Sequence, residues 1–152
     1  MKVQSADLSN LREIVDFLIT KFHAAYADVF PPADFPKVVL YVGSHLNSGV
    51  VFVVRNDRGE VGGVIAGMES SPWFSTKRHV SEGVFFVEPE MRKTRAAIIL
   101  LKALKRYADD RGMALIAGVT SGDDLERKDR FFESQGLERI GGIYRTKDKG
   151  NV

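Results

Sequence analysis

The tightest constraint on the fold is the stretch from 80 to 119, which reads strand, helix, strand with little left over. Residues 80–87 are a β-rich run closed by Pro89. Residues 94–111 place Ala97, Leu100, Leu101, Leu104 and Ala108 on one helical stripe, with Gly112 as the stop. Residues 114–119 then read as a buried strand. A helix between two strands returns the chain to the same end of the sheet, so the two strands run parallel.

Upstream, the runs 50–55 and 60–69 flank Asn56-Asp57-Arg58-Gly59, a hairpin turn signal. Glycines 62, 63 and 67 in the second arm predict a bulge or a close backbone approach. The N-terminal part is helical: Leu8, Leu11, Ile14, Val15, Leu18, Ile19, Phe22 and Tyr26 share a face over 6–28, with Asp7 or Ser9 as cap. The PPADFP stretch at 31–36 breaks that helix, and a second is predicted over 37–46, stopped at 47–49. A helix over 123–135 ends at Gly136, and a last strand is predicted over 140–146. The order β-α-α-β-β-β-α-β-α-β predicts an α/β (α+β) architecture with a mixed, mostly antiparallel sheet flanked by about four helices. One domain over 1–152 is expected, with 147–152 as a flexible tail.

Composition narrows the chemistry. The chain has 152 residues, long enough for a core without staples, and no cysteine, which removes disulfides, thiolate metal sites and a cysteine nucleophile. No metal is expected. The N-terminus has no apolar signal-peptide core and no 18-residue apolar run occurs, so a cytoplasmic protein with no membrane partner is expected. The net charge is +2, yet residues 92–111 carry seven Lys/Arg against two Asp, so that segment is +5 and the remainder −3.

The charge peaks in EPEMRKTRAAIILL, residues 88–101. The first-turn amides of a helix have no intrahelical partner, and the macrodipole puts partial positive charge beside them. A strand followed by Arg92, Lys93, Thr94 and Arg95, and then by the small Ala96 and Ala97, therefore offers an anion both backbone and side-chain donors. Cations at that end cost the helix about 0.3–1 kcal/mol each, a cost that a bound polyanion would offset. The alternative is a solvated surface turn with alanines kept for packing. The pattern G-x-x-x-x-G-K-[ST] is absent, so nucleotide triphosphate hydrolysis is not read here.

Residues 87–104, VEPEMRKTRAAIILLKAL, resemble the acetyl-CoA-binding segment of the GNAT superfamily of N-acetyltransferases. That family's pattern is Val-x-Pro, then Arg/Gln-x-x-Gly-x-Gly/Ala opening a long helix. Val87, Pro89, Arg92 and Ala97 match it, whereas Lys93 and Arg95 stand where glycines are common. SADLSNLREIVDFL resembles the family's first strand-to-helix junction, residues 57–67 its hairpin, and FFESQGL at 131–137 its aromatic helix end. The Arg-x-x-Arg-Ala-Ala form is similar to that of bacteriophage-encoded members.

The resemblance implies a GNAT-like fold whose fourth and fifth strands splay apart, and transfer of acetyl from acetyl-CoA to a primary amine. Carried over by position, Arg92, Lys93, Thr94, Arg95, Ala96 and Ala97 bind pyrophosphate, while the backbone of Phe85, Phe86 and Val87 meets the pantetheine arm. The Arg95 guanidinium replaces the close approach that a glycine gives. Glu82 leads as the base, with Glu69 and His79 behind it, and a backbone N–H near Phe86 serves the oxyanion. The family's acidic tyrosine is Phe132 here. Sulfur protonation then falls to water, Tyr144 or Ser121. Trp73, Phe74, Tyr26 and Phe30 are expected either to line the acceptor pocket or to serve packing. A homodimer is among the assemblies the resemblance implies.

Two rival readings stand beside this one. An acetyl-CoA-binding domain with weak or no catalysis fits the altered loop and Phe132. A nucleic-acid module fits the +5 segment, but helix 94–111 lacks interleaved exposed aromatics. No nucleic-acid partner is therefore expected. The acceptor stays open among a small metabolite, an antibiotic-like amine, a protein N-terminus and a lysine.

Overall fold

The computed structural model describes residues 1–119 and 121–147, and these build a five-stranded sheet in the order β1-β2-β3-β4-β5. β1 (Val3–Ser5), β2 (Val50–Arg55), β3 (Val61–Ser70) and β4 (His79–Val87) pair antiparallel; β5 (Leu115–Ile116) runs parallel to β4. The expected mixed sheet is present, with its one parallel step where the strand–helix–strand unit required it.

The first helix begins later than its apolar stripe suggests. Asp7 accepts from the Ser9 N–H and forms a capping box with Asn10, which holds Leu8–Asn10 as a 3-10 turn. α1 (Leu11–Phe17) follows and passes through a π-helical turn, Leu18–Phe22, into α2 (His23–Tyr26). α3 (Phe35–Ser48) starts two residues before the expected helix. The Asp34 carboxylate caps the Lys37 N–H at 2.9 Å, and Pro36 occupies the first turn, where its missing N–H is no loss. α4 (Ala96–Asp109) and α5 (Leu125–Ser134) complete the set.

Strand alternation divides the core in two. On one face Val51, Val53, Val64, Ala66 and Phe86 meet Ile14, Val15, Phe17 and Leu18 of the first helical stretch and Val42 of α3. On the other, Val50, Val54, Ile65, Val80 and Val87 meet Ala96, Leu100, Leu101, Leu104 and Ala108 of α4. The expected close approach at Gly67 is real: a Cβ there would stand 2.5 Å from Leu104 Cδ1.

Two expected strands differ. β5 covers only Leu115–Ile116 and is not buried, because it pairs on one side alone and Ile116 stays exposed. Residues 140–146 carry no strand; Ile140, Ile143 and Tyr144 are all exposed. Gly141-Gly142 interrupts that β-rich run and adds backbone entropy without side chains to pack. The expected flexible tail lies, apart from Lys147, outside the described residues. Among the described residues no helix is long and apolar enough to cross a membrane.

One buried charge ties these parts together. Glu88, just past β4, is 1% exposed. It accepts from Asn56 Nδ2 at 3.2 Å and lies 3.8 Å from the Lys21 ammonium of the π turn. Asn56 Oδ1 meanwhile holds the hairpin by accepting the Arg58 and Glu60 N–H groups. Asn56→Asp keeps that turn acceptor and sets a second carboxylate against Glu88. It should lower stability by about 1–3 kcal/mol at pH 7, read as a fall in melting temperature.

Candidate active site

The site grows from a defect in β4. Pairing with β3 runs from Val87 down to Val84 against Ala66, then jumps to Glu82 against Gly67, leaving Gly83 as the extra residue. On the other side, β4 and β5 pair only at Val80 with Leu115 and Ser81 with Ile116. Beyond that point the strands part, and the Gly118 N–H meets the Glu82 carboxylate at 3.2 Å instead of a backbone carbonyl. Past the bulge, the Glu88 N–H donates to the Gly62 carbonyl. Strand alternation then turns Val84 and Phe86 toward β3 and leaves the N–H groups of Phe85 and Val87 on the open edge.

Glu82 thus sits at the fork. Burial pushes its pKa up from the usual value to about 6, while the Gly118 N–H pulls the other way. Two residues that sequence reasoning passed over face the same bulge. A Cβ on Gly83 would stand 2.5 Å from His45 Nε2 and 2.6 Å from the Tyr41 hydroxyl, so only glycine lets both approach. Burial, and then the charge of Glu82, raise the Tyr41 pKa, which keeps its hydroxyl protonated. The one signal available was the i, i+4 spacing of Tyr41 and His45 on a helix.

The basic loop opens α4 as expected, with its donors redistributed. The Thr94 hydroxyl accepts the Ala96 N–H at 3.2 Å and donates to the Met91 carbonyl at 2.6 Å. The Ala96 methyl is core. The first i→i−4 bond of α4 is Ile99 to Arg95, so the amides of Ala97 and Ile98 precede the helical ladder. Arg95 has φ −82° and ψ 5°, ordinary for any residue, so the position needs no glycine. Lys93 and Arg95 are exposed, and among the described residues neither they nor Arg92 form an ion pair. Arg92 instead lies over the rings of Tyr26 (5.9 Å) and Phe86 (5.8 Å) and donates through Nε to the Val87 carbonyl at 3.1 Å.

The remaining candidates divide by place. Tyr26 and Phe30 pack with Phe22, and Phe22 and Tyr26 reach the Phe86 ring, forming an aromatic wall beside the fork. Trp73 and Phe74 are 96% and 73% exposed and meet each other edge to face, at 5.6 Å, on the β3–β4 loop. Glu69 is held by Arg78 and Arg111, and His79 Nε2 by Ser81. Ser121 bonds to the Lys128 ammonium, which also holds Asp123 at 2.6 Å. Tyr144 is 94% exposed. Phe131 and Phe132 pack against Phe85, so the ring in place of the family's tyrosine is a packing residue. Among the described residues no cluster of three or more His, Asp or Glu could hold a metal ion.

No curated protein matches this chain. The solved structures similar to it include a probable acetyltransferase, at TM-score 0.73 and 16% identity over 97% of this chain and 96% of the other. A ribosomal-protein-alanine N-acetyltransferase from Brucella melitensis biovar Abortus 2308 superposes at TM-score 0.65 and 17% identity, over 97% and 99%. AAC(6')-Iy in complex with the bisubstrate analog CoA-S-monomethyl-acetylneamine superposes at 0.68 and 15%, over 97% of each chain. These likenesses concern the fold, and they lend no support to a bacteriophage kinship. The acetyltransferase (GNAT) family matches residues 12–137, from α1 to just past α5. The chain belongs to the acetyltransferase (GNAT) family and is an acyltransferase of that kind.

Proposed function

We propose that the protein moves an acetyl group from acetyl-CoA directly to a primary amine. The observation that carries this reading is Glu82: a carboxylate with its pKa raised to about 6, placed where β4 and β5 part and beside the open β4 edge. The residues present suit acetyl-CoA. The Ala97 and Ile98 amides, with Lys93 and Arg95 beside them, receive pyrophosphate, Thr94 holds the loop through the Met91 carbonyl, and the Phe85 and Val87 backbone offers a strand edge to the pantetheine amides. Arg92 bridges the loop and the aromatic wall, so it serves both substrates.

The chemistry follows from the geometry. Glu82 takes a proton from the acceptor ammonium, and the freed lone pair attacks the thioester carbon. The oxyanion is met by the outward N–H of Phe85 or Val87, next to Phe86, whose own N–H belongs to the β3 ladder. The nitrogen sheds its second proton, the C–S bond breaks with its electron pair on sulfur, and solvent returns one proton to that thiolate while the other goes to bulk. Tyr144, on the exposed segment after α5, is the weaker candidate for that proton, and Ser121 is engaged by Lys128.

Thiol release from acetyl-CoA, followed with sisomicin, spermidine and an alanine-initiated peptide as acceptors, tests this. Release that depends on one of these amines is expected. Tight acetyl-CoA binding without release on any of them would favour a binding domain, the reading that Phe132, half-buried against Phe85, supports.

A further inference from the structure

α3 aims two polar groups at the β4 bulge, and the reaction outlined above uses neither. His45 is only 6% exposed, and its Nδ1 lies 2.9 Å from the Tyr41 carbonyl. A carbonyl only accepts, so Nδ1 carries the proton and the lone pair of the neutral ring is on Nε2. Nε2 lies close against Gly83, and among the described residues no donor meets it. No sealed side-chain nitrogen or oxygen among the described residues lacks a partner, so Nε2 opens to solvent. The Tyr41 hydroxyl stands beside it on a half-exposed residue, and Gly83 between them is exposed. Glu82 is the next residue along the strand, near enough for its charge to act on Tyr41.

Two lone pairs and a carboxylate suit a nitrogen that arrives with three N–H bonds, which is a primary ammonium. Resting on the acetyl-transfer reading, we propose that Tyr41 and His45 are the acceptor-side residues of the reaction centre. His45 Nε2 takes the proton the amine sheds as its bond to the acetyl carbon forms, and the Tyr41 hydroxyl holds that nitrogen in place. The ammonium gives its first proton to Glu82. Its lone pair makes the C–N bond, the C–S pair leaves on sulfur, and the second proton passes from nitrogen to Nε2. The imidazolium keeps its other N–H on the Tyr41 carbonyl. Through solvent, the thiolate takes up one of the two protons and the other goes to bulk.

The test uses His45→Asn, whose amide still donates to the Tyr41 carbonyl but has no basic nitrogen at the Nε2 position, and Tyr41→Phe, at a half-exposed position of the helix. Both are assayed for thiol release with the acceptor that the wild type uses, alongside acetyl-CoA titration calorimetry and thermal melting. His45→Asn should lower kcat by about 10²-fold or more and leave the amine KM within about threefold. Tyr41→Phe should raise the amine KM more than it lowers kcat. Acetyl-CoA affinity should hold in both. Wild-type kcat/KM in both variants would overturn the assignment and leave acetyl transfer standing. No amine-dependent release by the wild type would overturn acetyl transfer itself, and this assignment with it.

Discussion

Glu82→Gln lowers kcat/KM for the acceptor amine by about 10²–10⁴-fold at neutral pH, with acetyl-CoA affinity little changed. The size follows from removing the base while keeping the shape and the bond to the Gly118 N–H. The pH profile carries the sharper signature. Burial raises the Glu82 pKa to about 6, so the base form is depleted below that value and kcat/KM of the wild type climbs as pH rises through it. The variant should lack that acidic limb. Stability moves in the opposite sense. A carboxyl whose folded pKa exceeds its unfolded value stabilises the fold below about pH 4.5, and that contribution is lost as pH rises through about 6. Above pH 7, Glu82→Gln should therefore melt no lower than the wild type, and up to about 1–2 kcal/mol more stably. Melting curves at pH 5 and pH 8 check the sign. A variant that keeps its activity and its acidic limb would remove Glu82 from the chemistry.

The double variant Arg92→Ala with Arg95→Ala should weaken acetyl-CoA binding by about 10–100-fold, equivalent to about 1.4–2.8 kcal/mol. The two arginines are expected to act differently. Arg95 is exposed at the head of α4 and contributes charge alone, so Arg95→Lys should retain most of the affinity and the loss in Arg95→Ala should shrink with added salt. Arg92 lies over Tyr26 and Phe86 and is fastened to the Val87 carbonyl. A lysine there keeps the charge and loses the planar stacking. Arg92→Lys should consequently impair acceptor turnover more than acetyl-CoA binding. Calorimetric titration of each variant decides the matter, and unchanged affinity in the double variant would place the phosphates elsewhere.

Much of this arrangement was legible in the residues because local chemistry and tertiary contacts agree there. The hairpin at Asn56–Gly59, the stripe of α4 and the basic turn before it each have one low-cost solution, and each is found near its expected position. Glu82 stood out through the family resemblance, since the family often places a glutamate near that strand. Tyr41 and His45 stayed hidden, since their meaning depends on which strand α3 crosses and on a bulge at Gly83 that no periodicity announces. Trp73 and Phe74, expected either to line a pocket or to pack, do not pack on the core. The β3–β4 loop is held by Ser75 to Pro72, Lys77 to Ser75 and Arg78 to Glu69, and it leaves both rings out in solvent. Residues 140–146 were read from composition as a strand, and the central Gly-Gly leaves them without one.

A crystal structure of the acetyl-CoA complex tests the central claim most directly. The pyrophosphate should accept the Ala97 and Ile98 N–H groups within about 3.2 Å, with the Arg95 guanidinium beside it. The pantetheine should lie along the open edge at Phe85 and Val87, with the thioester between Glu82 and the Tyr41–His45 pair. Phosphates bound away from the head of α4, or a thioester outside the β4–β5 fork, would contradict the account.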